Sequence, residues 1–397
     1  MSIRRIGFIQ DTHSLNGAVR VSVDTARYLL RRFGIPSVFI NPSHLSSKGR
    51  MTVPLAEDVA EIFLDSFTKG NGAQDASALE EIVRQAEIDL LFVPYPTKHL
   101  PAGIERLRSC RVAYWYHEHP YGKYIRKRQL LDGLSHDPVG RQIDYFLTQW
   151  PKYYLFGEIT KRRIQRDLLR KIQESDYFIT LTSGYRDLLI RDLKLKEEEA
   201  RKLVVLRNAL TIEPDPMLRK EKLAVFMGRI MRDTKQVDKL FDIWRHCASE
   251  LPDWKFQFYG KGSYVKTLVR DINKSGLPNI SYEGYTSDPE SVFRRAAFSC
   301  ITSSTEGYCQ AITEAQNQGC IPIAFDSPGA FHEVIGTIEP AGILIHPYDT
   351  EAYATSLISL ARDEAERARL QERVLRHRHH YEEGTNDSEW HRLLELH

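Results

Sequence analysis

Residues 298–325 read FSCITSSTEGYCQAITEAQNQGCIPIAF. FSCIT is a short apolar run of strand character, STEGYCQ a loop, QAITEAQNQG a helical pattern closed by Gly319, and CIPIAF a second apolar run. Strand, loop, helix and strand in so short a span make one βαβ unit, which packs as parallel strands joined by a crossover helix. The same alternation runs outward in both directions. Towards the N-terminus of this half lie LAVFMGR, the helical QVDKLFDIWRHCASEL, WKFQFYGKG, YVKTLVRDINKS and ISYEGY. The first half repeats it with RRIGFIQD, GAVRVSVDTARYLLRRFG, IPSVFIN, LEEIVRQAEIDLLFVPYP, CRVAYWYH, SDYFITLTS and KLVVLRNAL.

The pattern predicts an α/β protein of two doubly wound parallel-sheet domains. Their junction is expected near Asn208 to Arg219, where NALTIEPDPMLRK gathers two prolines without apolar periodicity. The expected boundaries are 1–210, 211–376 and a C-terminal helix over 377–397, broken at Gly384 and capped at Asn386 or Ser388. In such folds ligands bind outside the carboxyl ends of the strands, in the cleft between domains.

Composition narrows the partners. The 397 residues are 42% hydrophobic, enough for two cores, and their net charge of +2 gives no global bias towards nucleic acid. The five cysteines form no CxxC pair and no zinc spacing, which suits a reducing, cytoplasmic setting. The apolar run of MSIRRIGFIQD is too short for a signal peptide, and no stretch approaches the ~18 apolar residues of a membrane-spanning helix. Any membrane contact is expected to be peripheral.

Two acids flank the loop-to-helix junction, Glu306 before it and Glu314 about a turn inside it. Backbone N–H groups at Cys309, Gln310 and Ala311 would face an anion there. A carboxylate beside a phosphate site makes sense when the ligand also offers vicinal hydroxyls, as a nucleotide-sugar does. Both acids equally fit the ordinary first turn of a helix. In AVFMGRIMRDTKQVD, Arg229 follows Gly228 at the end of a strand and Lys235 lies six residues on, two cations able to neutralise a diphosphate.

Gly228-Arg229, Lys235, the GKG at Gly260 to Gly262 and the acid pair, in this order, resemble the retaining glycosyltransferases of family 4. These have the GT-B fold, two Rossmann-like domains facing a cleft with a C-terminal helix crossing back to the first. The likeness is strongest from Leu223 to Leu344, with Ser303 and Glu306 matching a Ser-x-x-Glu and Glu314-Ala315 a second Glu-Ala. The resemblance implies that Arg229 and Lys235 hold the donor diphosphate and Glu314 the ribose. It assigns Glu306, Gly307 and Tyr308 to the transferred sugar and Tyr285 to the surroundings of the base. His117, in VAYWYHEHP, matches the histidine beside the donor sugar, and Gly17 the glycine-rich loop of the first strand-to-helix turn, although only one glycine stands there. Ser183, in TLTSGYRDLL, reads first as a helix cap. Gln236 and Cys309 stand where the family often has glycine, and the Arg-to-Lys spacing is one residue longer than its commonest.

The implied reaction moves a sugar, with retention, from a nucleotide-diphosphate sugar, preferably a UDP-sugar, to a hydroxyl of a cell-surface polysaccharide, teichoic acid, glycoprotein or glycolipid. No cofactor and no obligatory metal is expected, because the basic pair does a cation's work. A nucleotide-sugar hydrolase or epimerase of the same fold, or a noncatalytic binding or chaperone subunit, would carry the same pattern. Between Pro120 and Lys171 stand 12 Lys and Arg against 5 Asp and Glu, interleaved with aromatics such as Tyr121, Tyr124, Trp150, Tyr153 and Tyr154. That composition suits an anionic membrane surface or an anionic acceptor, and no nucleic-acid-binding module accompanies it; a pair of helices with basic outer sides would look the same.

Overall fold

The computed structural model describes residues 3–10, 17–42, 60–64, 72–95, 104, 107–125, 139–208, 214–217, 219–381 and 384–395. Most of the DTHSLNG turn before Gly17, part of the 208–219 junction and the Arg126, Lys127, Arg128 run fall outside them. The chain forms two compact units. Met1–Pro120, Arg162–Thr211 and Glu383–His397 make the first, and Tyr121–Lys161 with Ile212–Glu382 the second. The basic segment, read from sequence as one insert of the N-terminal domain, is thus divided between them.

The first unit holds a seven-stranded sheet of β1 (Ile6–Ile9), β2 (Ser37–Pro42), β3 (Ala60–Leu64), β4 (Leu90–Tyr95), β5 (Arg111–Tyr116), β6 (Tyr177–Thr180) and β7 (Leu203–Val205), in the order β3-β2-β1-β4-β5-β6-β7. The second holds β8 (Glu221–Met227), β9 (Lys255–Tyr259), β10 (Ile280–Gly284), β11 (Ala296–Ile301), β12 (Ile321–Phe325) and β13 (Ile343–Ile345), in the order β10-β9-β8-β11-β12-β13. Neighbouring strands in both sheets are parallel. Helices on both faces leave the inner strands no wet side, so β11 and β12 are buried at every residue and read as unbroken apolar runs rather than alternating ones.

Aromatic side chains fill both cores. Phe8 stacks between Phe39 and Phe92 at 5.2 and 5.1 Å, and Trp390 of the C-terminal helix reaches Phe92 at 6.0 Å. In the second unit Trp244, Phe256, Phe258 and Phe298 are fully buried. Tyr353 there accepts the Ile301 N–H at 3.1 Å and donates to the Ile323 carbonyl, tying β11 to β12.

The helix Asp387–Leu394 is bonded into the first unit. The Asn386 side chain pairs with the Arg207 backbone, donating to its carbonyl at 2.8 Å and accepting its N–H, and Arg32 donates to Asp387 at 2.8 Å. Arg111 pairs with Glu395, and Arg392 caps the Arg201 and Leu203 carbonyls. Among the described residues no helix is long and apolar enough to cross a membrane.

Candidate functional site

In the second sheet the strand order reverses between β8 and β11, which are paired neighbours while β9 and β12 lead away on either side. Carboxyl ends at such a point form a ready-made crevice. β8 delivers Gly228 and Arg229 there, and β11 delivers the loop from Thr302 to Cys309. The two loops are stitched together. The Thr302 hydroxyl lies 3.0 and 2.9 Å from the Lys235 and Gln236 carbonyls, and Ser304 donates its N–H to the Thr234 carbonyl at 2.9 Å. The Glu306 N–H donates to the Pro328 carbonyl at 3.1 Å, binding in a third loop, after β12.

These bonds bring the Lys235 ammonium onto the Glu306 carboxylate, as an ion pair whose side chains are 20% and 11% exposed. Burial pulls the Lys235 pKa down, but the Glu306 charge, the Cys309 sulfur and the Glu306 hydrogen bond outweigh it, against opposition from Arg229, and the pKa ends above the usual lysine value. The ammonium is therefore charged throughout the neutral range. Burial holds the Cys309 thiol well above its ordinary value, Glu306 and Glu314 raise it further and Lys235 opposes them, so the thiol is neutral. Arg229, Lys235, Glu306, Cys309 and Glu314 thus form one electrostatic cluster. Arg229 is its exposed member.

The helix Gln310–Asn317 starts from Cys309, whose φ of 61° is left-handed. Ile312 turns its N–H back to the Cys309 carbonyl, while the N–H groups of Gln310 and Ala311 have no protein acceptor among the described residues. Gln236, which caps the helix Val237–Cys247, is also left-handed, at φ 47°. Both positions where the related family often carries glycine have the backbone that glycine adopts most easily, so these departures change the side chain and keep the chain path. The Ser303 hydroxyl is buried with no hydrogen-bond partner. Tyr308, further along the same loop, is also buried, and Gly307 is partly covered.

The glycines of the GKG motif have another structural reason. Gly260 and Gly262 lie where the loop after β9 crosses the loop after β8. A Cβ on Gly260 would stand 1.7 Å from the Gly228 carbonyl oxygen, and one on Gly262 would stand 2.1 Å from that of Ile230. The Gly260 N–H donates to the Gly284 carbonyl at 2.7 Å and the Ile230 N–H to the Lys261 carbonyl at 2.9 Å. The GKG pattern is needed to let two backbones touch. Tyr285 is 53% exposed, with the Lys261 ammonium 4.2 Å from its ring centroid, so it closes no core.

His117 belongs to the first unit, just past the carboxyl end of β5. Its N–H donates to the Tyr95 carbonyl at 3.0 Å and its ring lies 4.8 Å from that of Trp115. Burial lowers its pKa to about 4, leaving a neutral imidazole, and its buried Nε2 has no partner. Sequence reading missed two neighbours in the same condition. Gln10 Nε2 and Trp115 Nε1 are also buried without partners. Phe8, Phe92 and Ala113 lie abreast on β1, β4 and β5, and Gln10 and Trp115 come two residues further on, so they share that face, with His117 next after Trp115. A glutamine ending an apolar strand was the available sequence signal. Gly17 opens the helix Gly17–Phe33 and is exposed. The cap before Ser183 is Thr182, whose hydroxyl accepts the Tyr185 N–H at 3.1 Å; Ser183 is the first helical residue.

Residues 212–377 match the family model for glycosyl transferases group 1. A poly(glycerol-phosphate) alpha-glucosyltransferase of Bacillus subtilis (strain 168) is 25% identical over 170 residues, 42% of this chain and 25% of that enzyme's length. Among solved structures, S. aureus TarM with UDP and alpha-GlcNAc-glycerol superposes with a TM-score of 0.70 at 11% identity, covering 99% of this chain and 100% of that one. The pneumococcal O-GlcNAc transferase GtfA, with UDP and GlcNAc, gives 0.71 at 13%, covering 99% of each chain. Anabaena Alr3699/HepE, with UDP and glucose, gives 0.66 at 14%, also covering 99% of each. The chain has the GT-B fold, and the part of it that builds the Lys235 and Glu306 cluster lies within the region that matches the glycosyl transferases group 1 model.

Proposed function

We propose that this protein is a retaining glycosyltransferase of family 4 that moves a sugar from a UDP-sugar to a hydroxyl of a glycerol-phosphate polymer of the teichoic-acid type. The observation that carries the reading is the Lys235–Glu306 ion pair beside Arg229, at the strand-order reversal of the domain that matches glycosyl transferases group 1. The UDP bound by three of the superposing structures supports the nucleotide, and the B. subtilis relative and TarM support the acceptor class.

In this reading Arg229 and Lys235 meet the diphosphate, together with the open N–H groups of Gln310 and Ala311. The bond from the anomeric carbon to the phosphate breaks with its electron pair on the diphosphate, where the two cations stabilise the added charge. Glu306, anchored through its own N–H to Pro328, steadies the sugar as positive charge develops on it. Glu314 takes the ribose hydroxyls, and Tyr285 offers an exposed ring to the base. The acceptor oxygen forms the new bond on the face the phosphate leaves, and its proton departs with the phosphate. His117, neutral and with Nε2 unpaired, is able to hydrogen-bond a hydroxyl group, the role the family resemblance implies for it. No protein nucleophile and no metal takes part.

Binding tests the donor site. UDP raises the unfolding temperature of the wild-type protein, GDP and ADP raise it less, and Arg229→Ala loses most of the UDP shift, by linkage between binding and stability. Equal shifts in wild type and Arg229→Ala would remove the diphosphate from this place.

A further inference from the structure

The segment between β5 and β6 carries an exposed apolar face. On the helix Val139–Thr148, Val139, Ile143, Phe146 and Leu147 follow the i, i+4, i+7, i+8 spacing of a single stripe, and all are exposed, Leu147 to 74%. Tyr145, on the other side, is the buried one. The usual arrangement of a surface helix is reversed here. The stripe continues past a π-helical turn, Pro151–Leu155, where Pro151 lacks the N–H for a regular helix bond and Phe156 donates back to the Pro151 carbonyl at 2.9 Å. At its end Leu155 (64%), and beyond it Phe156 and Ile159, are again exposed.

Charge decides what covers this face. Lys152, Arg162, Arg163 and Arg166 are exposed and pair with no carboxylate among the described residues. The segment 120–171 carries 12 Lys and Arg against 5 Asp and Glu, +7 in a chain of +2, which leaves the remainder at about −5 by difference. A second copy docked face to face would set this positive charge against itself. An anionic bilayer would attract it and repel most of the rest of the chain, fixing the orientation. Trp150 and Tyr154, stacked at 6.0 Å, are the amphipathic rings that favour the headgroup level.

We propose that residues 139–166 form an interfacial docking surface for anionic phospholipid. The helix Val139–Thr148 lies in the membrane plane with Ile143, Phe146 and Leu147 immersed, and the basic side chains of the segment supply its attraction to the lipid phosphates. This inference rests on the patch and stands or falls apart from the transferase reading.

Flotation of the full chain with vesicles tests it. Wild type floats with phosphatidylglycerol-containing vesicles at low salt and far less with phosphatidylcholine alone. The double substitution Phe146→Asp with Leu147→Asp weakens binding by about tenfold or more, as does Arg162→Gln with Arg163→Gln and Arg166→Gln. Wild-type protein that stays unbound to anionic vesicles, or aspartate variants that are folded and float undiminished, would overturn the proposal. A reading on wild-type protein covers any folding defect: brominated phosphatidylglycerol quenches tryptophan emission, and Trp150→Phe removes the quenched component. Absence of quenching overturns it, and so does a wild-type dimer in light scattering that the aspartate pair dissociates, since the face would then belong to a second copy.

Discussion

Lys235→Ala lowers kcat/KM for sugar transfer by about a thousandfold, the scale of removing a preorganised charge from a developing anion. It also destabilises the second unit by about 3 kcal/mol, because Glu306, 11% exposed, loses its counter-ion. These effects have different physical origins and can be separated. Combining Lys235→Met with Glu306→Gln removes both charges and keeps similar shapes, so most of the stability returns. Activity does not return, since neither the diphosphate nor the sugar regains its partner. Steady-state kinetics with a fixed UDP-sugar and chemical denaturation of wild type, Lys235→Ala and the double variant check both halves. A double variant that recovers activity along with stability would reduce the ion pair to a structural device.

Gly260→Ala unfolds the second unit or destabilises it by more than about 3 kcal/mol. The added Cβ would stand 1.7 Å from the Gly228 carbonyl oxygen and 2.9 Å from its carbon, both backbone, at a φ of +137°. No rotamer relieves a clash between main chains. Gly276→Ala is the control. That glycine is left-handed at φ +66° with nothing within 4 Å, so it costs only the conformational strain of about 1 kcal/mol. Thermal unfolding of the two variants separates the close approach from the positive φ.

The parallel sheets were legible because buried strands have no choice of composition: LAVFM, FSCI and IPIAF are apolar on both faces. β3 and β13 were not legible. β3, AEIFL, lies at a sheet edge, where Glu61 and partly exposed neighbours dilute the run, and β13 is three residues long. The cluster of Arg229, Lys235, Glu306 and Glu314 could be proposed from order and spacing, because β8 and β11 each bring one loop to a common edge. What sequence could not give was the reason for particular residues. The GKG pattern was read through the family resemblance, although packing of Gly260 against Gly228 already requires its glycine, and Tyr285 was assigned to the base with no sign that its ring would lie exposed beside Lys261. Gln10 and Trp115 looked like ordinary ends of apolar strands until their unpaired nitrogens appeared beside His117.

The most direct measurement of the central claim is the anomeric configuration of the product. Wild-type protein, an α-linked UDP-sugar and a short poly(glycerol phosphate) are combined, and the anomeric proton coupling of the new glycoside is followed by NMR. An α-glycoside formed from the outset, dependent on acceptor and absent with Lys235→Met/Glu306→Gln, is the predicted result. A β-glycoside, or free sugar released at the same rate without acceptor, would contradict the assignment of this cluster to retaining transfer.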